Sequence, residues 1–163
     1  MRILFDSKLS QFKTPFGTLS SGQECTLNIF VPASVQATAV TCELLYDDDS
    51  PAQSVRMDFK MKKGAYEIFQ GKFILDVPAL YFYFFRVHTR QGDFRLFKAG
   101  DDTNMEAGDL WQVSCIPADF TTPEWAQGAL IYQVFPDRFC ASGKVDLSGK
   151  LEPYTVHKNW DEE

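Results

Sequence analysis

The sequence predicts an all-β chain. Three observations carry this: short apolar/polar alternations recur along the first 115 or so residues, turn-forming clusters separate them, and aromatic residues, 15 of them Phe among 163 residues, concentrate in those alternating runs. Hydrophobic residues make up 45% and charged residues 23%, so the chain can bury a core. Its length suits one ordinary domain with an appendage.

The elements follow in order. The run "CTLNIFV" sets Leu27, Ile29 and Val31 on one face and Thr26 and Asn28 on the other, and Pro32 ends it. "AVTCELLY" repeats the alternation with Val40, Cys42, Leu44 and Tyr46, before Asp47-Asp48-Asp49-Ser50-Pro51 turns the chain. Three consecutive carboxylates read as a solvated turn, because a hard-cation loop spaces its ligands around the ion. "SVRMDFKM" opposes Val55, Met57 and Phe59 to Arg56, Asp58 and Lys60. "AYEIFQGKFIL" and "ALYFYFFRVHTR" follow, and the second is apolar on both faces, which predicts a strand covered from two directions. Gln91-Gly92-Asp93 predicts a hairpin turn into "FRLFKA", and "LWQVSCI" supplies a last strand. Seven or so antiparallel strands over this length predict an immunoglobulin-like antiparallel β-sandwich over residues 1–116.

Residues 117–123, "PADFTTP", form a proline-bounded connector. Beyond it Glu124 to Gln127 open a short turn, and "GALIYQVF" is a continuous apolar run of the kind that fills a parallel, buried strand. From Cys140 to Glu163 the chain is polar and lacks periodicity.

Charge and cysteine content exclude several classes of function. The net charge is -6, with Lys62-Lys63 the one basic pair, so neither nucleic acid nor an anionic membrane is an expected partner. The N-terminal apolar stretch is too short for a signal peptide and no segment reaches the length of a membrane span, so the expected location is cytoplasmic. Cys25, Cys42, Cys115 and Cys140 are widely separated and read as buried free thiols, with no metal cluster and no cofactor expected.

The string "DFTTPEWAQGALIYQVFPDRF", with "PYTVHKNWDEE" after it, resembles the junction in α-amylase-superfamily glycoside hydrolases (family 13) of the neopullulanase, cyclomaltodextrinase and maltogenic amylase type. There a "TPxW" sequence leads into the first strand of the catalytic (β/α)8 barrel. The resemblance is dense over residues 119–139 and loose over 153–162. Upstream it is confined to the architecture and to a "YFYFFRV"-like strand. It implies an N-terminal carbohydrate-binding-like domain over 1–116, a linker over 117–123 and a truncated start of the catalytic barrel over 124–163.

The resemblance further implies partners: an α-glucan (starch, pullulan or cyclodextrin) held weakly, and the chain's own catalytic barrel. In that family the catalytic carboxylates lie on later barrel strands, so no catalytic residue is expected here. Retaining cleavage needs two carboxyls about 5–5.5 Å apart on a rigid scaffold. Asp137 and Arg138 would follow the strand's carboxyl end and read as a structural pair. His88 and His157 read as packing or surface residues, and the loop Cys140 to Asp146, where some relatives bind calcium, carries a lysine among the expected ligands.

Sugar contact by the sandwich needs exposed rings, against which a pyranose lays its CH face. Trp111 and Trp125 read as structural, which leaves Tyr46 and Tyr66, both beside turns, as the substrate-binding candidates. The alternative reading is a structural module without sugar contact, or one that dimerises. An apolar strand at 129–135 without neighbours predicts self-association of the chain through residues 124–163.

Overall fold

The computed structural model describes residues 2–134 and Ser148. Among them are ten strands: β1 (Lys13–Thr14), β2 (Leu19–Ser20), β3 (Glu24–Pro32), β4 (Ala37–Tyr46), β5 (Pro51–Lys63), β6 (Tyr66–Ile74), β7 (Ala79–Thr89), β8 (Gly92–Ala99), β9 (Asp102–Asn104) and β10 (Trp111–Ile116). The described residues hold no α-helix, only two 3-10 turns at Ala33–Val35 and Glu124–Ala126. None of their helices is long and apolar enough to cross a membrane. The chain divides into two compact units, Met1–Thr121 and Thr122–Glu163.

The strands of the first unit make one curled sheet in the order β1-β3-β6-β5-β4-β7-β10-β2, with β8 sharing an edge of β7 with β10, along its second half, and β9 beyond β8. Every pairing is antiparallel except that of β10 with β2. The curl runs through β5. Its first half pairs with β4, from Pro51 opposite Leu45 to Met57 opposite Val40, and its second half pairs with β6, from Asp58 opposite Gln70 to Lys63 opposite Tyr66. One strand thus joins two half-sheets whose facing sides enclose the core.

That core follows from the period-2 pattern of the sequence. Leu27, Ile29 and Val31 of β3, Val40, Cys42 and Leu44 of β4, and Tyr83, Phe85 and Val87 of β7 are all almost fully buried. Trp111 and Val113 of β10 join them, with the Trp111 ring stacked on Tyr83 at 5.9 Å and edge-on to Phe5 at 5.1 Å. Each large side chain so placed contributes about 1.5–3 kcal/mol by leaving water. Cys25, Cys42 and Cys115 are free and buried, as their strand positions predict, while Cys140 lies outside the described residues.

In three places the structure departs from the sequence reading. The first is at the N-terminus, where the sequence predicts neither a core position nor the two-residue strands, because nothing so short shows a period. Ile3 and Phe5 nevertheless enter the core, held by paired bonds in which Leu4 N–H donates to Phe30 O (2.9 Å) and Phe30 N–H to Leu4 O (3.1 Å). Lys13 is also buried, its Nζ donating to Pro15 O and Gly17 O at 2.8 and 2.9 Å.

The second departure is Phe59, expected beside Val55 and Met57 on the inner face but 55% exposed. The β4 ladder stops at Met57, and the β5–β6 register shifts between Phe59 and Met61, so this half of β5 runs past the other half-sheet. The third is the outer face of β7, which meets no second layer of sheet among the described residues. Phe84 is buried there by Phe97 and Arg95 of the β7–β8 hairpin, and Phe82 is only half-buried.

The turns agree more closely. In the acidic turn Asp48 Oδ1 accepts the Ser50 N–H at 3.0 Å, and bonds from Ser50 hold the Asp48 carboxyl below its usual range. Asp49 takes φ 64, a left-handed conformation that Asp tolerates better than most residues. The β7–β8 hairpin bends at Arg90-Gln91, one residue earlier than expected, because Gly92 already pairs with Thr89.

In the second unit, Glu124–Ala126 form a 3-10 turn and Gln127 Nε2 donates to Thr122 O at 2.8 Å. Residues 129–134 adopt no strand, and Phe135 onward lies outside the described residues. A continuous apolar strand is stable when paired and covered on both faces, and among the described residues no ladder includes this segment.

Candidate functional site

The side chains that alternate with the core point to the other face of the sheet, and the registers fix which of them meet. Glu43 of β4 lies opposite Ser54 of β5 on one side and Phe84 of β7 on the other. Thr41 lies opposite Arg86, and Arg86 opposite Arg95 of β8. Leu45 lies opposite Phe82. Two guanidinium groups, a carboxylate and several apolar side chains therefore share one patch of outer sheet.

This patch is a groove of about 640 Å³, within the size range of small-molecule sites. Leu45, Ala52, Phe84, Phe97 and Leu110 give it apolar walls, and Glu43, Asp49, Arg86 and Arg95 bring its charges. The Phe84 and Phe97 rings stack with centroids 6.4 Å apart and planes at 25°. The Arg95 guanidinium sits 5.1 Å from the Phe84 centroid, a cation–π contact that holds the flexible side chain across the floor. Thr41 Oγ1 donates to Glu43 Oε1 at 2.7 Å. Among the described residues no carboxylate lies within ion-pair distance of Arg86 or Arg95.

The two tyrosines singled out by sequence are not brought together. Tyr46 ends β4 near the start of β5, whereas Tyr66 opens β6 opposite Lys63 at its end. The 13 residues of β5 separate them, up to about 40 Å at 3.3 Å per residue. Tyr46 is half-buried with its ring 5.1 Å from Tyr81, and burial, with Tyr46 as a lesser contributor, pushes the Tyr81 hydroxyl up to about 12. Tyr66 is half-buried and 6.5 Å from Phe30. Neither presents a ring that a ligand touching the other could share.

Of the remaining residues named from sequence, Trp111 is in the core and Trp125 is 80% exposed. His88 Nδ1 lies 2.7 Å from Asp93 Oδ2 across the β7–β8 ladder. Among the described residues no three His, Cys, Asp or Glu side chains gather as a metal site would require. Asp137, Arg138, His157 and the 140–146 loop lie outside the described residues.

Sequence reading overlooked Glu43, Arg86, Arg95 and Phe97. The available signal was the "FFRV" run followed by "FRLF" across a tight hairpin, which stacks one arginine and one aromatic residue on another of each kind. Its meaning depends on a register that a one-residue shift in the turn would reverse.

No family model matches the chain. Relatives do. An amylopullulanase of Thermoanaerobacter thermohydrosulfuricus is 26% identical over 169 residues, which is 93% of this chain and 11% of the relative. An amylopullulanase of Thermoanaerobacterium thermosulfurigenes is 26% identical over 175 residues, 96% of this chain and 9% of the relative. Neopullulanase 2 of Thermoactinomyces vulgaris is 34% identical over 108 residues, 61% of this chain and 18% of the relative. Among solved structures a cyclomaltodextrinase shares the fold at a TM-score of 0.51 and 19% identity, over 86% of this chain and 24% of that one. The chain thus spans roughly a tenth of the amylopullulanases it matches. On these matches the chain is similar to the N-terminal domain type of the family 13 glycoside hydrolases.

Proposed function

We propose that the chain is a non-catalytic accessory domain of an α-glucan-acting glycoside hydrolase, and that its β-domain assists binding of starch, pullulan or cyclodextrin. Residues 1–116 form an immunoglobulin-like sandwich in this reading, 117–123 a linker, and 124–163 the start of the catalytic (β/α)8 barrel. The observation that carries it is the pattern of coverage: more than nine-tenths of the chain matches about a tenth of enzymes named for the glucan they act on. The two half-sheets facing each other across one core favour the sandwich description.

Contact of this kind is weak, because one or two stacked rings supply only a few kcal/mol. A dissociation constant on the order of a millimolar follows. Weakness is compatible with use, since a tethered domain raises the effective concentration of polymer at a joined catalytic site without any new contact there. Electrophoresis through gels containing amylopectin or pullulan tests the reading. Retarded migration, absent in plain gels, is the expected result.

A second reading, a structural module that packs on its own barrel or on a second copy without sugar contact, is favoured by Phe59 and Met61. They are 55% and 47% exposed on the half of β5 that β4 leaves uncovered. Unretarded migration would leave this reading standing and remove the first.

A further inference from the structure

We propose that the groove across β4, β5, β7 and β8 is the domain's α-glucan contact site, with Glu43, Arg86, Arg95 and Phe97 as its recognition residues. The proposal rests on the reading that the domain assists α-glucan binding, and it moves the site away from Tyr46 and Tyr66.

The chemistry of the lining selects the ligand. A glucan is neutral, and each of its residues offers a ring of hydroxyls that both donate and accept beside a CH face that stacks on apolar surface. The groove supplies matching parts: guanidinium donors at Arg86 and Arg95, a carboxylate acceptor at Glu43, and apolar surface at Leu45, Phe97 and Leu110. Its formal charges cancel, since Arg86 and Arg95 are matched by Glu43 and Asp49. A site for an anion would leave its arginines unopposed, so this balance favours an uncharged, hydroxyl-rich ligand.

The ordinary alternative is a solvated lattice of cross-strand charges. Such a lattice would use its groups on each other, as Lys72 does with Glu24 at 2.7 Å on the opposite half-sheet. In the groove they remain available: Glu43 accepts a bond from neutral Thr41, and neither arginine has a carboxylate at ion-pair distance among the described residues. Arg95 is also held in place by the Phe84 ring, so less side-chain freedom is lost when a ligand arrives. The 640 Å³ volume accommodates a short oligosaccharide.

The test is an amide chemical-shift map of the full 163-residue chain titrated with maltoheptaose and with β-cyclodextrin, with cellohexaose as the β-linked control. Shifts centred on Glu43, Ser54, Arg86, Arg95 and Phe97 are expected with both α-glucans. Glu43→Gln and Arg95→Ala should each weaken maltoheptaose binding at least fivefold, with Tyr66→Ala within twofold of the parent. Shifts that centre on Tyr66 would overturn the site and leave glucan binding intact. Equal shifts with cellohexaose would overturn the α-glucan assignment. Absence of shifts with all three sugars would overturn the site together with the reading it rests on. Because the map uses the unaltered chain, it decides even if a variant fails to fold.

Discussion

Gly71 stands on β6 where β5 changes partners, and nothing larger fits there. A Cβ at this position would lie 2.5 Å from Met57 Sδ and 3.1 Å from both Arg56 O and Val55 Cγ1. The methionine can swing aside, but the carbonyl belongs to a paired strand. Gly71→Ala is therefore expected to destabilise the fold by about 1–3 kcal/mol, seen as a lower denaturation midpoint. An unchanged midpoint would mean that the strand crossing is looser than its geometry indicates. Titration makes a second prediction at this scale. Burial pushes the Cys25 thiol from 9.0 up to about 11 and raises Cys42 well above the ordinary range. The unfolded chain ionises these groups first, so stability present below about pH 9 should be lost as the pH climbs through 11. Lys13 acts oppositely: burial lowers its ammonium, and the cost of burying that charge fades as the pH rises towards 10.5. With three thiols, Tyr81 and Tyr83 against one buried lysine, melting temperature should fall between pH 9 and 11. In Cys25→Ala the fall should be shallower.

At the scale of elements, the N-terminal segment contributes more than its few ladder bonds suggest. Phe5 lies 4.6 Å from Phe85 and 5.1 Å from Trp111, centroid to centroid, and is nearly inaccessible. Phe5→Ala should remove about 3–5 kcal/mol, measured by urea unfolding, as other large-to-small core changes do. A loss near zero would show the segment to be dispensable. The same segment marks the limit of what the sequence reveals. Strands β3, β4 and β10 are legible because a one-sided core imposes a period of two, as Leu27, Ile29 and Val31 show. Residues 2–20 reach the core at Ile3, Phe5, Phe12 and Leu19, too sparsely for a repeat to be detected. The candidate site was illegible for another reason. Glu43, Arg86 and Arg95 come from three strands, and only the registers bring them into one groove. In the sequence Tyr46 and Tyr66 look alike, each beside a turn, but turns at opposite ends of one strand are far apart.

For the whole molecule, the first compact unit holds every strand described, so a chain ended at Thr121 should keep a single cooperative unfolding transition. Loss of cooperativity on that truncation would show that the remaining residues take part in the fold. Neither the full chain nor the shortened one is expected to release reducing sugar from starch, pullulan or cyclodextrin, because retaining hydrolysis needs a paired acid and nucleophile held on a rigid scaffold. Turnover that copurified with the full chain and vanished in Asp137→Ala would refute this. The double duty of β5 bears on how the chain reaches this state. Its two hairpins close over short turns, residues 47–50 towards β4 and 64–65 towards β6, so their loop-closure entropy is small. Pairing of β3 with β6 and of β7 with β10 spans far more chain. The central meander is then the least costly part to assemble, and each half-sheet needs it as a template. Folding should nucleate in the middle of the sequence and condense outward, with φ-values high at Val40 and Val55 and low at Leu27 and Val113.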